Sequence, residues 1–413
     1  MQYGLIGCPL GHSFSKEIHE RLGRYSYELC ELPKDEVATF LHQGDFAGVN
    51  VTIPYKEEVF PYLSELSERA KAIGAVNTIV NRDGRLYGDN TDFDGMRLAL
   101  SHVGIRLSGK KVLILGTGGT GKTARAVAKA LGARAILSVS RNPSGNAISY
   151  EQATVRHADA DVLINATPCG MYPNADRSPI DLAPFFRLSG VFDAIYRPLQ
   201  TELVLAAKAR GIPAAGGLYM LAAQAMRAAE LFTGEAFPLA AIEQAYLAVK
   251  RQRQNLVLIG MPGVGKTRVG MRLAERLHRP FFDSDRVIAE RIQMPIADYF
   301  AQNGEEAFRA IETEALKELA QESGAVIATG GGAVLNGQNV RALRQNGLLL
   351  FLDRPTDELK VSADRPLSSD REAVRRLYAQ RLPLYLAAAD LHIHSGKSAG
   401  ETAQRIWKEL QNE

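Results

Sequence analysis

Short runs of apolar residues that end in glycine recur along the chain. A continuous run of this kind is typical of a strand buried on both faces of a parallel sheet. Between the runs, apolar residues recur at helical spacing over Thr123–Leu131 and Val269–Leu277. This alternation predicts an α/β protein with parallel sheets. The runs are Leu5–Gly7, Val112–Gly116, Leu256–Gly260 and the stretch that closes at Gly332.

A domain boundary is expected near residue 250. Leu239–Gln254 has the pattern of a helix whose last turn is basic, which suits the negative end of its dipole. Asn255 then leads directly into the next apolar run, without a linker rich in Ser, Gly or Pro. Because 413 residues correspond to two or three domains, we predict a short, stiff junction here.

Composition excludes several classes of protein. Hydrophobic residues make up 46% and charged residues 23%, which excludes disorder as the main state. The net charge is only +3, so bulk charge gives no case for nucleic-acid binding. We find no apolar run of the roughly 18 residues that a membrane span needs, and no signal-peptide pattern. Three cysteines without metal-ligand spacing fit a reducing compartment, so we expect a cytoplasmic protein.

One phosphate-binding signature, G-x-x-x-x-G-K-T, occurs twice. It spans Gly116–Thr123 and Gly260–Thr267, and each copy follows an apolar run and opens a helical pattern. Both copies fit a P-loop, so two ATP sites in tandem are one interpretation. Only the residues that follow each copy separate the two.

The first copy also contains the dinucleotide fingerprint G-x-G-x-x-G. The next predicted strand ends at Arg141, without a carboxylate that would bind a free ribose 2′-hydroxyl. An arginine at this point accommodates a 2′-phosphate, so we predict NADP rather than NAD. The alternative is that Arg141 is a solvated charge at the strand end. The glycines expected to hold the dinucleotide are Gly116, Gly118, Gly119 and Gly121.

The second copy is followed by the sequence FFDSD, which places Asp283 and Asp285 at the end of the next apolar segment. A carboxylate there can hold Mg²⁺ or accept a proton from an attacking hydroxyl. We expect Lys266 to reach the β- and γ-phosphates and Thr267 to ligate Mg²⁺. This copy is interpreted as the phosphotransferase P-loop, with Gly260, Gly263 and Gly265 in its cradle.

Polar residues cluster in the first hundred residues. Ser13 and Ser15 follow the first strand, and Lys56 closes the stretch NVTIPYK, in which polar residues alternate. Asn77 precedes an apolar run, and Asp89–Asp92 forms one polar turn. Each residue alone has the bland interpretation of a cap or turn residue. Together they predict a site for a small polyhydroxylated acid.

These residues resemble the shikimate dehydrogenase family over about the first 250 positions. The resemblance implies a substrate-binding domain over residues 1–95, completed by about 216–250, and a Rossmann NADP domain over 96–215. One departure is that Arg141 is not followed by the second arginine common in the family, which bears on strict NADP preference. The matching motifs are GHSFSKEIH, GVNVTIPYK, GAVNTIV, GDNTDFDG, GTGGTGKTA, INATPCGM, DAIYRP and GLYMLAAQA.

The same resemblance implies roles for individual side chains. Lys56 is implied as the catalytic residue, since an ammonium can stabilise and protonate the alkoxide that hydride delivery creates. Asp92 would orient Lys56 and bind the adjacent substrate hydroxyl. Ser13 and Ser15 are implied to bind the substrate carboxylate. The residues implied to hold hydroxyls are Thr52, Asn77, Asp92 and Gln224.

The last 160 residues carry arginines and a glycine triplet. Arg309 lies in a helical pattern, and Gly330–Gly332 follows a strand, where backbone amides can hold an anion. Arg365 lies in a polar stretch interpreted as a mobile lid, and Arg381 follows. Any one of these arginines could equally be a surface charge.

Together with the P-loop and the sequence DSD, these three arginines resemble the shikimate kinase family over residues 255–413. The resemblance implies that Arg365 contacts the transferring phosphate and that Asp283 supports Mg²⁺ through water. Asp285 would take the proton from the attacking 3-hydroxyl, and Lys360 is a candidate to pack on adenine. The residues implied to bind shikimate are Asp285, Arg309, Gly331, Gly332 and Arg381.

The sequence therefore predicts a bifunctional enzyme that uses NADP(H), ATP and Mg²⁺. The first half would reduce 3-dehydroshikimate to shikimate, and the second would phosphorylate shikimate at its 3-hydroxyl. Three alternatives stay open. One is a quinate/shikimate dehydrogenase with relaxed cofactor use, and another is a half that acts only as a binding or regulatory module. The third is a pair of tandem ATP sites, with ATP bound at Gly116–Thr123.

Overall fold

The computed structural model describes residues 1–11, 13–23, 25–359 and 370–412. The chain divides into two compact units, Met1–Lys250 and Arg251–Glu413. Among the described helices, none combines the length and the hydropathy that crossing a bilayer requires.

The first unit begins with a six-stranded mixed sheet of order β2-β1-β3-β5-β6-β4. Its first three strands are parallel, and β5 pairs antiparallel with both β3 and β6. The strands are β1 (Tyr3–Gly7), β2 (Glu28–Glu31), β3 (Gly48–Val51), β4 (Glu65–Leu66), β5 (Thr78–Arg82) and β6 (Arg85–Asp89). The helices are α1 (Ser15–Leu22), α2 (Val37–Gln43), α3 (Glu68–Ile73) and α4 (Asp92–His102).

A second, fully parallel sheet follows in the same unit, with order β11-β10-β9-β7-β8. Its strands are β7 (Lys111–Leu115), β8 (Ala135–Val139), β9 (Val162–Asn165), β10 (Gly190–Asp193) and β11 (Ala214–Ala215). Its helices are α5 (Gly119–Ala130), α6 (Tyr150–Arg156) and α7 (Glu202–Ala209). The chain then forms α8 (Leu218–Thr233), which packs against α4 and α1, and α9 (Ala240–Arg253).

Helix α8 packs closely because its faces are lined with small residues. Ala222 and Ala223 are fully buried in one apolar cluster with Ile18 of α1 and Ile242 of α9. Alanine side chains let helix axes approach while still excluding water from the contact. This close packing is what carries Gln224, on the same helix, towards the polar residues of the first sheet.

The second unit holds one parallel sheet of order β13-β14-β12-β15-β16. Its strands are β12 (Asn255–Ile259), β13 (Phe281–Asp283), β14 (Val326–Ala328), β15 (Gly347–Asp353) and β16 (Leu391–His394). Its helices are α10 (Lys266–Leu277), α11 (Ser284–Ile292), α12 (Ile296–Ala320), α13 (Gly337–Asn346), α14 (Arg371–Ala388) and α15 (Ala399–Asn412). Gly304, at φ 80°, interrupts α12.

The predicted α/β class is confirmed. The apolar runs are strands, and β12 is buried along its whole length, as a strand covered on both faces requires. The helices begin earlier than periodicity predicts: α5 starts at Gly119 rather than Thr123, and α10 at Lys266 rather than Val269. Their first turns contain glycine, lysine and threonine, so these residues add nothing to an apolar stripe.

Candidate active sites

The two copies of the phosphate-binding signature fold differently. In the first unit, only residues 116–118 separate β7 from α5, so Lys122 lies inside the first turns of the helix. In the second unit, residues 260–265 form a longer loop, and Lys266 is the first residue of α10. A loop that wraps phosphates needs that length, because several consecutive backbone amides must face the same anion.

The two lysines also point to different partners. Lys266 is buried and its Nζ donates to the carbonyl oxygens of Gly260 (2.8 Å) and Met261 (3.0 Å), back across its own loop. Lys122 lies within α5, and its Nζ lies 2.6 Å from Oε2 of Glu57. Of the two lysines, only Lys266 is therefore positioned at its loop, where it could reach bound phosphates.

Strand order separates the two sheets in the same way. Strand β8 pairs directly with β7, which is the arrangement of doubly wound dinucleotide-binding sheets. In the second unit β14 lies between β12 and β13. The interpretation of two tandem ATP sites is disfavoured on both loop length and topology.

The glycines of the first loop leave room for a dinucleotide. Gly116 has φ +106°, and a Cβ there would lie 3.0 Å from the carbonyl oxygen of Ala166. A Cβ on Gly121 would collide with the carbonyl oxygen of Gly116, so this glycine lets the helix pack on the strand end. Space beside Gly118 is open to 4 Å. With no acidic residue in its first turn, α5 suits a pyrophosphate at its N-terminus.

This loop opens onto a cavity of about 1180 Å³. Lys56, Gly119 and Arg141 all line it, as do Gly116 and Gly118. The cavity therefore brings the predicted cofactor residues to the predicted catalytic lysine. The loop glycines, with their backbone amides, and the Arg141 guanidinium line one cavity. These hydrogen-bond donors fit NADP(H).

A second guanidinium, from Arg177, lines the same cavity and was missed by sequence reasoning. Burial raises the pKa of the Cys169 thiol, while Arg177 and Arg141 both act to lower it, so both cations lie near this residue. Arg177 belongs to a loop after β9, far along the chain from Arg141. No motif links the two positions.

Lys56 and Asp92 form a close pair. Nζ of Lys56 lies 2.5 Å from Oδ2 of Asp92, and the two side chains are 14% and 9% exposed. Asp92 is the first residue of α4, and a Cβ on Gly119 would lie 3.6 Å from the Lys56 side chain. The ammonium is thus held by a carboxylate at the edge of the dinucleotide loop.

Asn77, Thr91 and Gln224 form a buried hydrogen-bonded group. Nδ2 of Asn77 donates to Oγ1 of Thr91 (3.0 Å) and Oε1 of Gln224 (3.4 Å). The backbone amide of Thr91 donates to Oδ1 of Asn77 (2.7 Å). Helix α8 thus brings Gln224 into contact with Asn77, a residue 147 positions earlier in the sequence.

The two predicted serines pair with each other, hydroxyl to hydroxyl, at 3.1 Å. Burial raises the pKa of Tyr196, and a hydrogen bond with Ser13 opposes that shift. Tyr196 was missed as a site residue, although it lies in the motif DAIYRP. Thr52 follows β3, and a Cβ on Gly7 would collide with its methyl group.

Two polar residues of the early cluster have structural partners instead. Asn50 accepts from the Tyr27 hydroxyl (2.7 Å) and donates to Thr78. Asp89 accepts from Ser67 (2.5 Å) and from the amide of Asn90. The bland interpretation, a turn or cap residue, suits both of them.

The second unit gathers its predicted residues around a cavity of about 960 Å³. Arg354, Lys397 and Ser398 also line it and were missed. Arg365 and Lys360 lie outside the described residues. The predicted residues that line the cavity are Gly263, Gly265, Lys266, Thr267, Asp283, Asp285, Arg309, Gly331, Gly332 and Arg381.

Thr267 and Asp283, the two residues predicted to hold magnesium, lie side by side. Oγ1 of Thr267 donates to Oδ2 of Asp283 at 2.6 Å. The other oxygen of Asp283 accepts from the amide of Asp285 (3.0 Å), which fixes the carboxylate at the start of α11. Oxygen donors from a hydroxyl and a carboxylate beside a phosphate loop fit Mg²⁺.

Each glycine of the triplet after β14 is closely approached by another site residue. A Cβ on Gly330 would lie 2.8 Å from Oδ1 of Asp285, and one on Gly331 would lie 2.6 Å from the Pro262 ring. A Cβ on Gly332 would collide with the Arg309 guanidinium. The triplet is therefore needed for side chains to converge, in addition to any role of its amides.

Two arginines converge on this triplet. Nη1 of Arg381 donates to the carbonyl of Gly331 at 3.0 Å. Nη1 of Arg309 lies 2.8 Å from Oε2 of Glu312, whose side chain is only 1% exposed. Burial raises the pKa of Glu312, while Arg309 acts to lower it. Glu312 was missed, although its spacing three residues after Arg309 on a helix is a usable signal.

Comparison with known proteins gives a family to each part. A family model described as shikimate dehydrogenase substrate binding domain matches residues 5–79, and one described as shikimate kinase matches residues 262–411. A shikimate dehydrogenase (NADP(+)) of Clostridium perfringens strain SM101 is 36% identical over 250 residues, which cover 56% of this chain and 92% of that protein.

Solved structures give the same result for the first unit. A chorismate mutase/shikimate 5-dehydrogenase fusion protein of Clostridium acetobutylicum matches with TM-score 0.57 and 34% identity, covering 60% of this chain and 96% of that one. Shikimate 5-dehydrogenase of Thermus thermophilus, solved in complex with NADP(H) and shikimate, matches with TM-score 0.55 and 32% identity, covering 60% and 98%. The chain thus belongs to the shikimate dehydrogenase family and, over residues 262–411, carries a shikimate kinase domain fused to it.

Proposed function

We propose that this fusion reduces 3-dehydroshikimate to shikimate with NADPH and phosphorylates shikimate at its 3-hydroxyl with MgATP. One observation carries the proposal. The same eight-residue signature forms a dinucleotide loop beside the Lys56–Asp92 pair in one unit and a phosphate loop beside Asp285 in the other. Each nucleotide site therefore lies beside its own group of polar residues for binding a substrate.

In the first unit, bound NADPH supplies the hydride. Lys56 donates a proton from Nζ to the ketone oxygen as negative charge develops on it. Asp92, 2.5 Å away, holds that ammonium in place. Ser13 and Ser15 donate to the substrate carboxylate, while Thr52, Asn77, Asp92 and Gln224 hold the hydroxyls.

In the second unit, bound MgATP supplies the phosphoryl group. Asp285 would accept the proton of the 3-hydroxyl, and Lys266, which here donates to the carbonyls of its own loop, would bind the phosphates. Thr267 would ligate the magnesium ion directly, and Asp283 would support it through water. Arg309 and Arg381, with Gly331 and Gly332, bind the carboxylate, which a planar guanidinium pairs well. The proposed contact of Arg365 with the transferring phosphate stays a prediction.

Product analysis by mass spectrometry tests the proposal. The full chain is incubated with 3-dehydroshikimate, NADPH and MgATP, and we expect shikimate 3-phosphate. Shikimate accumulating without phosphate would contradict the kinase assignment. No conversion would contradict the dehydrogenase assignment, and added shikimate would then test the kinase alone.

Lys122 is expected to have no role in ATP chemistry. Lys122→Ala removes an exposed ion pair with Glu57, worth about 0–1 kcal/mol of stability, and should leave ATP-dependent phosphorylation of shikimate unchanged. ADP release is the measurement, and Lys266→Ala, which should lose the activity, is the matched control. If Lys122→Ala lost the activity while Lys266→Ala kept it, the first signature would be the ATP site.

Arg141 and Arg177 are proposed to select NADPH by binding its 2′-phosphate. Because a hydrogen bond to a charged group is worth roughly 1.5–3 kcal/mol, either alanine variant should lower kcat/KM for NADPH about 10–100-fold. NADH, which lacks that phosphate, should be little affected. Arg156→Ala, at an exposed helix end outside the cavity, is the control. Equal use of NADPH and NADH by the unchanged protein would contradict the NADP assignment.

A further inference from the structure

Two histidines and an aspartate meet at the carboxyl ends of the last two strands of the second unit. Asp353 ends β15, and His392 and His394 lie two residues apart on β16, so their side chains share one face. Asp353 is in register with His394. Neither the dehydrogenase nor the kinase chemistry uses these three residues.

Their distances suit a single metal ion. Nε2 of His392 lies 3.0 Å from Oδ2 of Asp353, and Nδ1 of His394 lies 4.0 Å from the same oxygen. All three ligand atoms lie within 4.8 Å of one another. A tetrahedral ion with bonds of about 2.0–2.2 Å needs ligand atoms roughly 3.4 Å apart, so only small side-chain shifts are required.

Surrounding residues hold the ligands in position. The Tyr378 hydroxyl donates to the second oxygen of Asp353 at 3.0 Å, which leaves Oδ2 directed at the histidines. The ring of Phe351 stacks on His392 with centroids 4.9 Å apart and planes at 16°. Such outer contacts fix ring and carboxylate orientation in metal sites.

We propose that Asp353, His392 and His394 bind one divalent transition-metal ion of the zinc class. Imidazole nitrogens favour Zn²⁺, Co²⁺, Ni²⁺ or Cu²⁺ over Mg²⁺, which prefers oxygen ligands, so this site is distinct from that of Thr267 and Asp283. The His394 side chain is 76% exposed, which gives the ion access and leaves its fourth position to water.

The proposed site adjoins the loop 395–398, which follows β16. The amide of Ser395 donates to the carbonyl of Asp353 (2.8 Å), and Nη2 of Arg354 donates to that of Gly396 (2.6 Å). Lys397 and Ser398 of this loop, with Arg354, line the cavity of the phosphate loop. A bound ion would therefore link β15 and β16, the two strands that lead into these cavity-lining residues.

Cobalt titration of the full chain, after treatment with a chelator, tests the proposal without relying on either activity. We expect one Co²⁺ per chain with visible d–d absorption, displaced by Zn²⁺ and retained in excess Mg²⁺. His392→Asn and His394→Asn should abolish the signal, and Tyr378→Phe should weaken binding about tenfold. His278→Asn, at an exposed helix end where asparagine tolerates the positive φ of 52°, should change nothing.

A thermal melt gives a second measurement. An ion that binds only the folded chain raises its melting temperature, so Zn²⁺ should stabilise the unchanged protein and His278→Asn but not His394→Asn. The proposal is overturned by unchanged cobalt binding in His394→Asn, by displacement with Mg²⁺, by a thiolate-to-cobalt band that reports cysteine ligands, or by no uptake.

Discussion

Replacing Lys56 by alanine should slow the reduction of 3-dehydroshikimate by about 10²–10⁴-fold and leave the phosphorylation of added shikimate unchanged. The ammonium lies 2.5 Å from Asp92 and borders the dinucleotide cavity, so it is placed both to donate the proton and to offset developing charge. Because these interactions strengthen in the transition state, kcat should fall more than KM rises. NADPH oxidation followed by absorbance is the measurement.

A matched control comes from Lys34. Its Nζ also pairs with a carboxylate, Oε1 of Glu58 at 2.9 Å, but this side chain is 76% exposed. Lys34→Ala removes the same kind of ion pair from the same unit and should keep full reductase activity. If Lys56→Ala kept more than a tenth of the rate in a folded protein, Lys56 would be a binding residue and the acid would lie elsewhere.

Local sequence could point to candidate residues for each site because each site rests on short motifs. The Lys56–Asp92 pair, the group of Asn77 with Gln224 and the side chains around Gly330–Gly332 are brought together as the motifs imply. Strand ends, glycines and a preceding apolar run are all encoded within a few residues. Their roles in catalysis stay predictions that the variants test.

What sequence reasoning missed is nonlocal. Arg177 lines the same cavity as Arg141 because the loop after β9 borders it, and no spacing rule joins the two positions. Arg354 and Lys397 come from neighbouring strand ends of a sheet whose order is known only once it is folded. The two copies of the phosphate-binding signature also differ for a nonlocal reason. Where each helix starts, and hence how long the preceding loop is, depends on packing that the residues common to both copies do not encode.

Asp285→Asn is expected to lower ATP-dependent phosphorylation of shikimate by about 10²–10⁴-fold, with reduction of 3-dehydroshikimate unchanged. Asparagine has the size of aspartate, so it fits beside Gly330, where a Cβ would lie 2.8 Å from Oδ1. It accepts no proton from the substrate hydroxyl, however. Coupled detection of ADP in the presence and absence of shikimate measures the loss.

The control for Asp285 is Asp298→Asn. Both aspartates are exposed residues in the first turn of a helix of the second unit, so both substitutions remove the same favourable interaction with a helix dipole. Only Asp285 lines the cavity, and only its substitution should silence phosphorylation. Equal losses in the two variants would mean that stability, rather than proton transfer, explains the effect.

The two loss-of-activity variants together test whether the sites act independently. Lys56→Ala keeps the phosphate-loop cavity, and Asp285→Asn keeps the dinucleotide cavity, because the two cavities share no lining residue. An equimolar mixture should therefore convert 3-dehydroshikimate to shikimate 3-phosphate far faster than either variant does alone. If either single variant were folded yet lost both activities, the activities would depend on each other, and two separate sites would not describe this enzyme.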